Sequence, residues 1–429
     1  MSAPGAPGPL LVAVAGVIFS PIASLASLAR VFAGAMARCA ISARAGAVKP
    51  RRLFCQLRLC GIVALSCSPW ADSMATTVQL YGGLDTYMMY GRNGGRSSVR
   101  MGSGGASDSS WGIRAVEDLG NGVRVDFRLE GDIMTTNGRH LHPTTIYNRE
   151  ANIAVSSDSW GTLKLGRQVP LALSITADPF FFVQQFSPIA TGPKLVGELG
   201  FGVAPLPSRV NDAISYQTPS MNGLVLSVLY APRYRGGLSV ANSDSDRKSS
   251  SPFVDGYAGA QAIYQRGPWT LSGSYSALRP AWPTWPVGPA GPLEFLPRTD
   301  VMAVSAAYTM GALQTSIGYG QIRSNAPGTF PAQMMSLGAL IRQGSHMFRA
   351  VLFYRLINGK SESALGGMLG YDYQLSKRVS VYTRAGGFRN SPGSAFGIAA
   401  NFDTEKGSSY PLEKGASNRI IAFGISQRF

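Results

Sequence analysis

The stretch from Ser109 to Ile133, SSWGIRAVEDLGNGVRVDFRLEGDI, predicts a hairpin with two faces of very different polarity. Its turn is Asn121-Gly122, a pair that readily adopts the positive φ angles of a two-residue hairpin loop. Successive side chains of a strand point to opposite faces. After the turn, apolar and charged side chains alternate: Val123, Arg124, Val125, Asp126, Phe127, Arg128, Leu129 and Glu130. The apolar face packs either on a soluble core or on lipid, and in the second case the charges line a water-filled lumen.

The composition favours a large β-protein whose outer surface is not covered by charge. Glycine accounts for 51 of the 429 residues, and charged residues for only 14%. Charged residues make up about 25% of a typical soluble domain. Beyond the N-terminal segment, no window approaches the roughly 20 apolar residues of a membrane-spanning helix. A bundle of transmembrane helices is therefore not expected.

The first segment, residues 1–75, has the order of a secretory signal. Basic residues precede an apolar run, Leu59 to Cys67, and Ser73-Met74-Ala75 matches the small-x-small pattern before a cleavage site. We expect export and a mature domain over residues 76–429. The segment is longer than an ordinary signal, which we interpret as a start codon assigned too early, with Met36 as the alternative start. All 4 cysteines lie in it, so the mature chain offers no disulfide or thiolate metal site.

The mature chain is basic. From position 76 onward it has 32 basic and 22 acidic residues, a net charge of +10. One interpretation is a basic surface that faces anionic partners. The other is a lumen that concentrates anions. The choice between them depends on where the charges lie.

Alternating runs closed by Gly, Pro, Asn and Ser clusters continue along the mature chain. Each has about the length of a tilted transmembrane strand. There are sixteen: 78–91, 109–118, 122–135, 145–156, 160–168, 208–218, 223–233, 253–266, 268–279, 299–310, 312–323, 332–343, 346–357, 363–375, 378–389 and 418–429. Very short connections alternate with long ones, which is typical of transmembrane barrels. The pattern predicts a sixteen-stranded antiparallel β-barrel, with the last run paired to the first because an open edge is not stable in lipid.

The longest connection, residues 169–207, is rich in proline and aromatic residues, including ADPFFFVQQF. A connection of this length without a strand pattern usually indicates a functional loop or disorder. Its aromatic content argues against disorder. We therefore expect it to fold back into the barrel.

Several segments resemble the trimeric general porins of Gram-negative outer membranes, especially those of β-proteobacteria. They occur in family order over essentially the whole mature chain: TTVQLYGGLDTYMMY, SSWGIRAVEDLGNGVRVDFRLEGDI, NREANIAVSSDSWGTLKLGRQ, SRVNDAISYQTPSMNGLVLSVLYA, LGYDYQLSKRVSVYTRAG and the closing QRF. The resemblance implies an outer-membrane homotrimer with a third loop inserted into each lumen. It also implies passive diffusion of small hydrophilic solutes. Lipopolysaccharide and the barrel-assembly machinery, which would recognise the strand ending at Phe429, are the further partners expected.

The resemblance also implies a pore constriction with basic wall residues opposite acids on the third loop. The basic positions carried over are Arg167, from GRQ, and Arg209, which opens the strand after the loop. The family's arginine before the W/F-G motif falls on Ser110 here, so one basic position is missing. Arg128, on the charged face of the first hairpin, is the candidate to replace it. An excess of fixed positive charge predicts a weak preference for anions.

The acidic side of this constriction is assigned to three residues. Asp178 and Glu198 are the only acids on the third loop, and the Pro-Glu-Phe-Gly motif of enteric members is absent. Glu130 lies on the charged face of the first hairpin and is expected to point into the lumen.

An enzyme is not expected from this sequence. A barrel hydrolase needs a nucleophile, a base and a group that orients the base. The mature chain has 3 histidines, at His140, His142 and His346, and no carboxylate or cysteine cluster stands near the HLHP motif. We therefore expect no catalytic residue, metal, cofactor or nucleic-acid partner.

Two alternatives to a general diffusion pore remain. A substrate-specific channel would need a tight lysine cluster or a stacked aromatic track, to which Tyr81, Tyr87 and Phe180–Phe182 could contribute. A barrel that acts mainly as a surface adhesin or antigen is compatible with the same fold.

Overall fold

The computed structural model describes residues 77–140, 145–171, 177–182, 185–200, 202–232, 256–279, 297–398 and 413–429. The predicted signal segment, His142, the polar connection 234–252 and most of the Pro/Gly-rich connection 281–297 lie outside these ranges. Seventeen strands lie within them: β1 Thr77–Asn93, β2 Arg96–Ser103, β3 Ser110–Gly120, β4 Val123–Asp132, β5 Glu150–Ser157, β6 Gly161–Gln168, β7 Val210–Gln217, β8 Leu224–Ala231, β9 Gly256–Arg266, β10 Trp269–Arg279, β11 Thr299–Met310, β12 Leu313–Ser324, β13 Ala332–Gln343, β14 His346–Ile357, β15 Glu362–Gln374, β16 Val379–Asn390 and β17 Asn418–Arg428.

The strands form one closed antiparallel barrel. From β3 onward each strand pairs with the next along the chain, and β1 pairs with β2, β3 and β17. Closure extends to the last residue, because Gly82 and Phe429 exchange backbone hydrogen bonds of 3.2 and 3.0 Å. The predicted sixteen-stranded barrel is confirmed, since every predicted run overlaps a strand and β2 is the one addition.

The additional strand results from a break in the barrel wall. The first half of β1 pairs with β3 and the second half with β2, so β2 and β3 share one strand position. Between them, residues 104–109 turn inward over Asp85. Its buried carboxylate accepts hydrogen bonds from the backbone N–H groups of Gly105, Ala106 and Ser107 at 2.6 to 3.1 Å. This inward segment was not predicted, because nothing in its sequence shows that Asp85 lies opposite.

The two faces of the hairpin over Ser109–Ile133 are as predicted. Asn121 and Gly122 adopt φ angles of 52° and 72°, as the tight turn requires. Phe127 is exposed on the outer surface, whereas Glu130 is buried inside the barrel. Along β17, Ile421, Phe423 and Ile425 are likewise exposed on the outside. A band of exposed apolar side chains around a closed barrel is typical of contact with lipid.

The longest connection lies inside the barrel, which confirms the expected third-loop insertion. We call residues 169–209, between β6 and β7, the inserted loop. Its regular elements are the helix α1 Pro188–Thr191 and the 3-10 turns Gly192–Lys194 and Gly197–Leu199. None of the helices in the described part of the chain has the length and apolarity needed to cross a membrane.

The hydrophobic core forms between the inserted loop and the inner surface of the barrel. It contains loop side chains and inward side chains of β12, β14 and β16, namely Phe186, Leu199, Val203, Leu206, Ile322, Phe353 and Phe388. The loop approaches the wall closely at Gly338, where a Cβ atom would lie 2.8 Å from Cγ of Pro179. The backbone position of the loop is therefore defined by packing against one side of the barrel, and the remaining lumen lies on its other side.

Candidate functional site

Four arginines line one side of the lumen on four consecutive strands. They lie on β4, just before β5, on β6 and just before β7, and we call them the basic wall: Arg128, Arg149, Arg167 and Arg209. Two of them are in direct contact, since the Arg209 side chain donates from Nε to the backbone carbonyl of Arg149 at 2.7 Å. Neighbouring antiparallel strands bring these side chains together although they span 81 positions of sequence.

Arg149 belongs to this wall and was missed in the sequence. Its guanidinium bonds to Glu130 at 2.5 Å and to Asp108 at 3.0 Å. Asp108 lies two residues before Ser110, the position where a wall arginine is missing. Arg128 lies further along the strand, because β3 places it opposite Arg114. Arg149 therefore reaches the level of Ser110, and the only signal for it was the NRE segment before β5.

Arg167 and Arg209 are bonded to neutral groups. Arg167 donates from Nε to the Asn148 carbonyl at 2.8 Å and also contacts Asn211 Oδ1. Arg209 donates to the Arg149 and Ser208 carbonyls, both at 2.7 Å. Within the described ranges, no carboxylate lies at ion-pair distance from either guanidinium. Both guanidinium groups are thus held in place by neutral acceptors and form no direct ion pair with a described carboxylate.

Lys194, on the inserted loop, adds a further basic group beside this wall. Its Nζ lies 2.7 Å from the Ser208 hydroxyl. Burial lowers the pKa of the Lys194 ammonium to about 7, and the nearby Asp108 and Arg209 act on it in opposite directions. The group therefore titrates near neutral pH.

Glu130 lies within the basic wall. Its carboxylate accepts a hydrogen bond from Tyr81 at 2.8 Å as well as the bond from Arg149. Arg128 faces a second wall acid, Glu150, at 3.7 Å. These two carboxylates neutralise part of the basic wall and do not form an opposing acidic surface.

Asp178 holds the tip of the inserted loop. The residue is only 3% exposed, and its carboxylate accepts hydrogen bonds from the backbone of Phe180 and Phe182, both at 2.9 Å. The Ser187 hydroxyl, which also caps α1, donates to it at 2.5 Å. Burial raises the pKa of the Asp178 carboxyl above its ordinary value, although these hydrogen bonds oppose the change. The side chain faces the loop interior.

Glu198 attaches the inserted loop to the barrel. Its carboxylate pairs with Arg355 of β14 at 2.5 Å and accepts the backbone N–H of Ala395. Arg355 is 1% exposed, and Lys360 donates to the Glu198 carbonyl at 2.9 Å. The Glu198 carboxylate is therefore committed to the wall behind the loop.

A second buried cluster lies under the loop tip. Arg349 and Arg384 share one carboxylate, that of Asp372, at 2.6 and 2.7 Å. Arg349 also donates to the Pro179 carbonyl, and the Arg384 guanidinium lies 5.5 Å from the centre of the Phe180 ring. Two guanidiniums with one carboxylate leave a positive excess among the ion pairs that the described residues form in this cluster.

The geometry brings together Arg128, Arg167, Arg209 and Glu130, and it directs Asp178 and Glu198 elsewhere. A row of fixed guanidinium charges in a narrow, partly dehydrated passage raises the local concentration of anions. His140, which remains inside the described ranges, contacts the Asp132 carbonyl at 2.7 Å. Across those ranges, no group of three or more His, Cys, Asp or Glu side chains is arranged to hold a metal ion.

Comparisons with known proteins agree with this architecture. The family model described as Gram-negative porin matches residues 59–393. The outer membrane porin protein 32 of Delftia acidovorans is 25% identical over 375 residues, which cover 86% of this chain and 98% of that protein.

Solved structures show the same fold. An anion-selective porin from Comamonas acidovorans superposes with a TM-score of 0.67 at 24% identity, over 83% of this chain and all of that one. OmpT of Vibrio cholerae in a trimer form has a TM-score of 0.55 at 14% identity, over 83% of this chain and all of that one. The chain therefore belongs to the Gram-negative porin family, as a β-barrel channel of the outer membrane.

Proposed function

We propose that this porin passes small hydrophilic solutes and ions by passive diffusion, with a weak preference for anions. The anion preference rests on a difference between the basic and the acidic side chains of the candidate site. Arg167 and Arg209 bond to neutral groups, whereas Asp178 and Glu198 are engaged within the loop and with Arg355. The constriction then consists of the four arginines of the basic wall and the three acids that pair with them, Asp108, Glu130 and Glu150.

Coulomb's law explains why this arrangement favours anions. A fixed unit charge acts on an ion at about 4 Å with roughly 1 kcal/mol in bulk water and about 4 kcal/mol at an effective dielectric constant of 20. A net excess of a single charge in the constriction is therefore sufficient to produce a weak preference. The likeness to the anion-selective porin of Comamonas acidovorans supports the proposal.

The reversal potential in a salt gradient tests the proposal directly. The purified protein is inserted into a planar bilayer with different KCl concentrations on the two sides. We expect stable water-filled pores whose reversal potential indicates that chloride is more permeant than potassium. A potassium preference would contradict the charge assignment, and a protein that inserts without conducting would contradict the channel function.

The substrate-specific alternative depends on a continuous aromatic track, which the described residues do not form. Tyr81 bonds to Glu130, Tyr87 is buried against Phe186 of the inserted loop, and Phe180 of the loop is buried beside Arg384 of the wall. Phe181 is exposed, so one aromatic position remains available to solutes. This supports general diffusion as the main function and leaves a single aromatic contact for solutes at the loop tip.

The proposed assembly is a homotrimer in contact with lipopolysaccharide. The fold shared with the trimer form of OmpT supports the trimer. Support for lipopolysaccharide comes from Arg92, Arg389 and Arg419, which are exposed on the outer surface near the ends of β1, β16 and β17. Arg92 lies directly opposite Arg419, a like-charge pair that a phosphate group would stabilise. Replacing both by glutamine should reduce the lipopolysaccharide that copurifies, and an unchanged amount would contradict this contact.

A further inference from the structure

The Phe181 ring is an apolar group fixed in the lumen. The residue is 45% exposed, although the loop around it is mostly buried. Phe181 and the next residue, Phe182, have φ angles of 50° and 65°, which are uncommon for residues other than glycine. Asp178 stabilises this conformation, since its carboxylate accepts the Phe182 N–H and its carbonyl accepts the Phe181 N–H at 3.1 Å. The turn formed by Asp178–Phe182 therefore keeps the Phe181 ring exposed to the water of the lumen.

Two arginines of the barrel wall lie next to this ring. The Arg349 guanidinium carbon is 4.5 Å from the ring centre, and that of Arg342 is 5.8 Å from it. Arg349 is buried and bonded to Asp372 and Pro179, so it supports the ring from the wall. Arg342 lies at the end of β13, is exposed, and has no carboxylate at ion-pair distance among the described residues. An exposed aromatic ring thus stands beside an exposed guanidinium.

We infer that Phe181 and Arg342 form a subsite for small aromatic carboxylates. The solute ring would stack against the exposed part of the Phe181 ring, and its carboxylate would pair with the Arg342 guanidinium. A simple anion uses only the second contact, and a neutral apolar solute uses only the first. Binding must remain weak, because a solute that is to cross the channel also has to leave the site. This inference rests on the proposed anion-conducting function and adds a solute class to it.

Three probe anions of equal charge distinguish stacking on Phe181 from ion pairing with Arg342. Benzoate, cyclohexanecarboxylate and acetate are added in turn to pores that conduct chloride in a planar bilayer, and the concentration that halves the current is measured. Benzoate should act at about threefold to tenfold lower concentration than cyclohexanecarboxylate, the range that aromatic stacking adds to apolar contact. Acetate should be the weakest. Equal potency of the two ring compounds in the native protein would overturn the inference.

Variants identify the residues involved. Phe181→Leu keeps an apolar side chain but removes the aromatic ring, so benzoate should lose its advantage while acetate is unaffected. Arg342→Gln should weaken all three carboxylates. Arg266→Gln is the matched control, since Arg266 is an exposed arginine at the same rim of the barrel. Retention of the benzoate advantage in Phe181→Leu would also overturn the inference.

The same membranes separate failure of this inference from failure of the proposed function. The reversal potential in KCl is recorded before any carboxylate is added. A potassium-preferring pore contradicts the anion preference itself. A chloride-preferring pore that does not distinguish benzoate from cyclohexanecarboxylate contradicts only the aromatic subsite. The native protein alone decides this point, so the result does not depend on whether each variant folds.

Discussion

Arg149 supplies the positive charge at the level of Ser110 in the constriction. The sequence leaves a missing basic position at Ser110 and suggests Arg128 as its replacement. In the barrel, Arg149 reaches Asp108 and Glu130 at that level, whereas Arg128 pairs with Glu150. Arg149 lies just before β5, in an irregular segment where strand periodicity does not define the direction of a side chain. Contacts with neighbouring strands define it instead.

Removing one charge from the basic wall should lower the anion preference. For Arg209→Gln we expect the permeability ratio of chloride to potassium to fall about twofold to threefold, because one unpaired charge is lost from a partly hydrated passage. Bilayer reversal potentials measure this ratio. Arg124→Gln is the control, because Arg124 bonds to Asp158 at an exposed turn at 2.9 Å. An equal change in both variants would show that the effect comes from net charge and not from the wall.

Lys194 should make the anion preference depend on pH near neutrality. Burial lowers the pKa of its ammonium to about 7. The group is therefore charged below this pH and neutral above it, so chloride preference should decrease as the pH rises from 6 to 8. Reversal potentials over this range provide the measurement. Lys194→Gln should have the lower chloride preference at every pH in this range. If the preference of this variant still decreases between pH 6 and 8, another group causes the pH dependence.

The sequence predicted that the inserted loop enters the barrel. It did not predict which side chains attach the loop to the barrel wall. Its length, prolines and aromatic residues indicated that residues 169–207 fold back into the barrel. Those features do not show which groups hold the loop, since Asp178 and Glu198 are equally acidic in the sequence. The tertiary contacts distinguish them. Asp178 closes a local turn nine residues before Ser187, and Glu198 pairs with Arg355 on a strand 157 positions away.

Breaking the Glu198 contact should loosen the inserted loop. In Glu198→Gln, the buried Arg355 loses its ion-pair partner, and removing one member of a buried ion pair costs about 3–5 kcal/mol. We expect larger conductance fluctuations and a wider pore in single-channel recordings. Glu413→Gln is the matched control, because its partner Arg96 is exposed and surface pairs contribute little. If the conductance fluctuations of Glu198→Gln equal those of the native channel, other contacts hold the loop.

The whole molecule depends on closure of the sheet and on the apolar band around it. The last strand pairs with β1 over eleven residues, and Phe429 completes the closure through Gly82. The side chain of Phe429 is 49% exposed on the outside, and its ring packs over Gly82, where a Cβ atom would lie 2.7 Å from Cζ of the ring. We propose that this terminal aromatic side chain is recognised by the barrel-assembly machinery.

Phe429→Ala should impair assembly in cells more than folding in detergent. The backbone pairs with Gly82 do not require an aromatic side chain, so the purified chain should refold into a barrel that runs as a trimer in mild detergent. Its amount in the outer membrane should fall several-fold in cell fractionation. Normal amounts in the outer membrane would contradict the recognition role, and a monomer for both native and variant protein would contradict the homotrimer.

Local patterns in the chain were enough to predict sixteen of the seventeen strands, their two faces, the short turns and the return of the long loop. Each of these features depends on neighbouring residues, because alternation along a strand and the φ preference of an Asn-Gly turn are local properties. Three features appear only in the folded barrel: the inward segment over Asp85, the entry of Arg149 into the basic wall and the engagement of both loop acids. These features depend on hydrogen bonds between groups far apart in the chain, and the charge of a residue does not indicate which partner it meets.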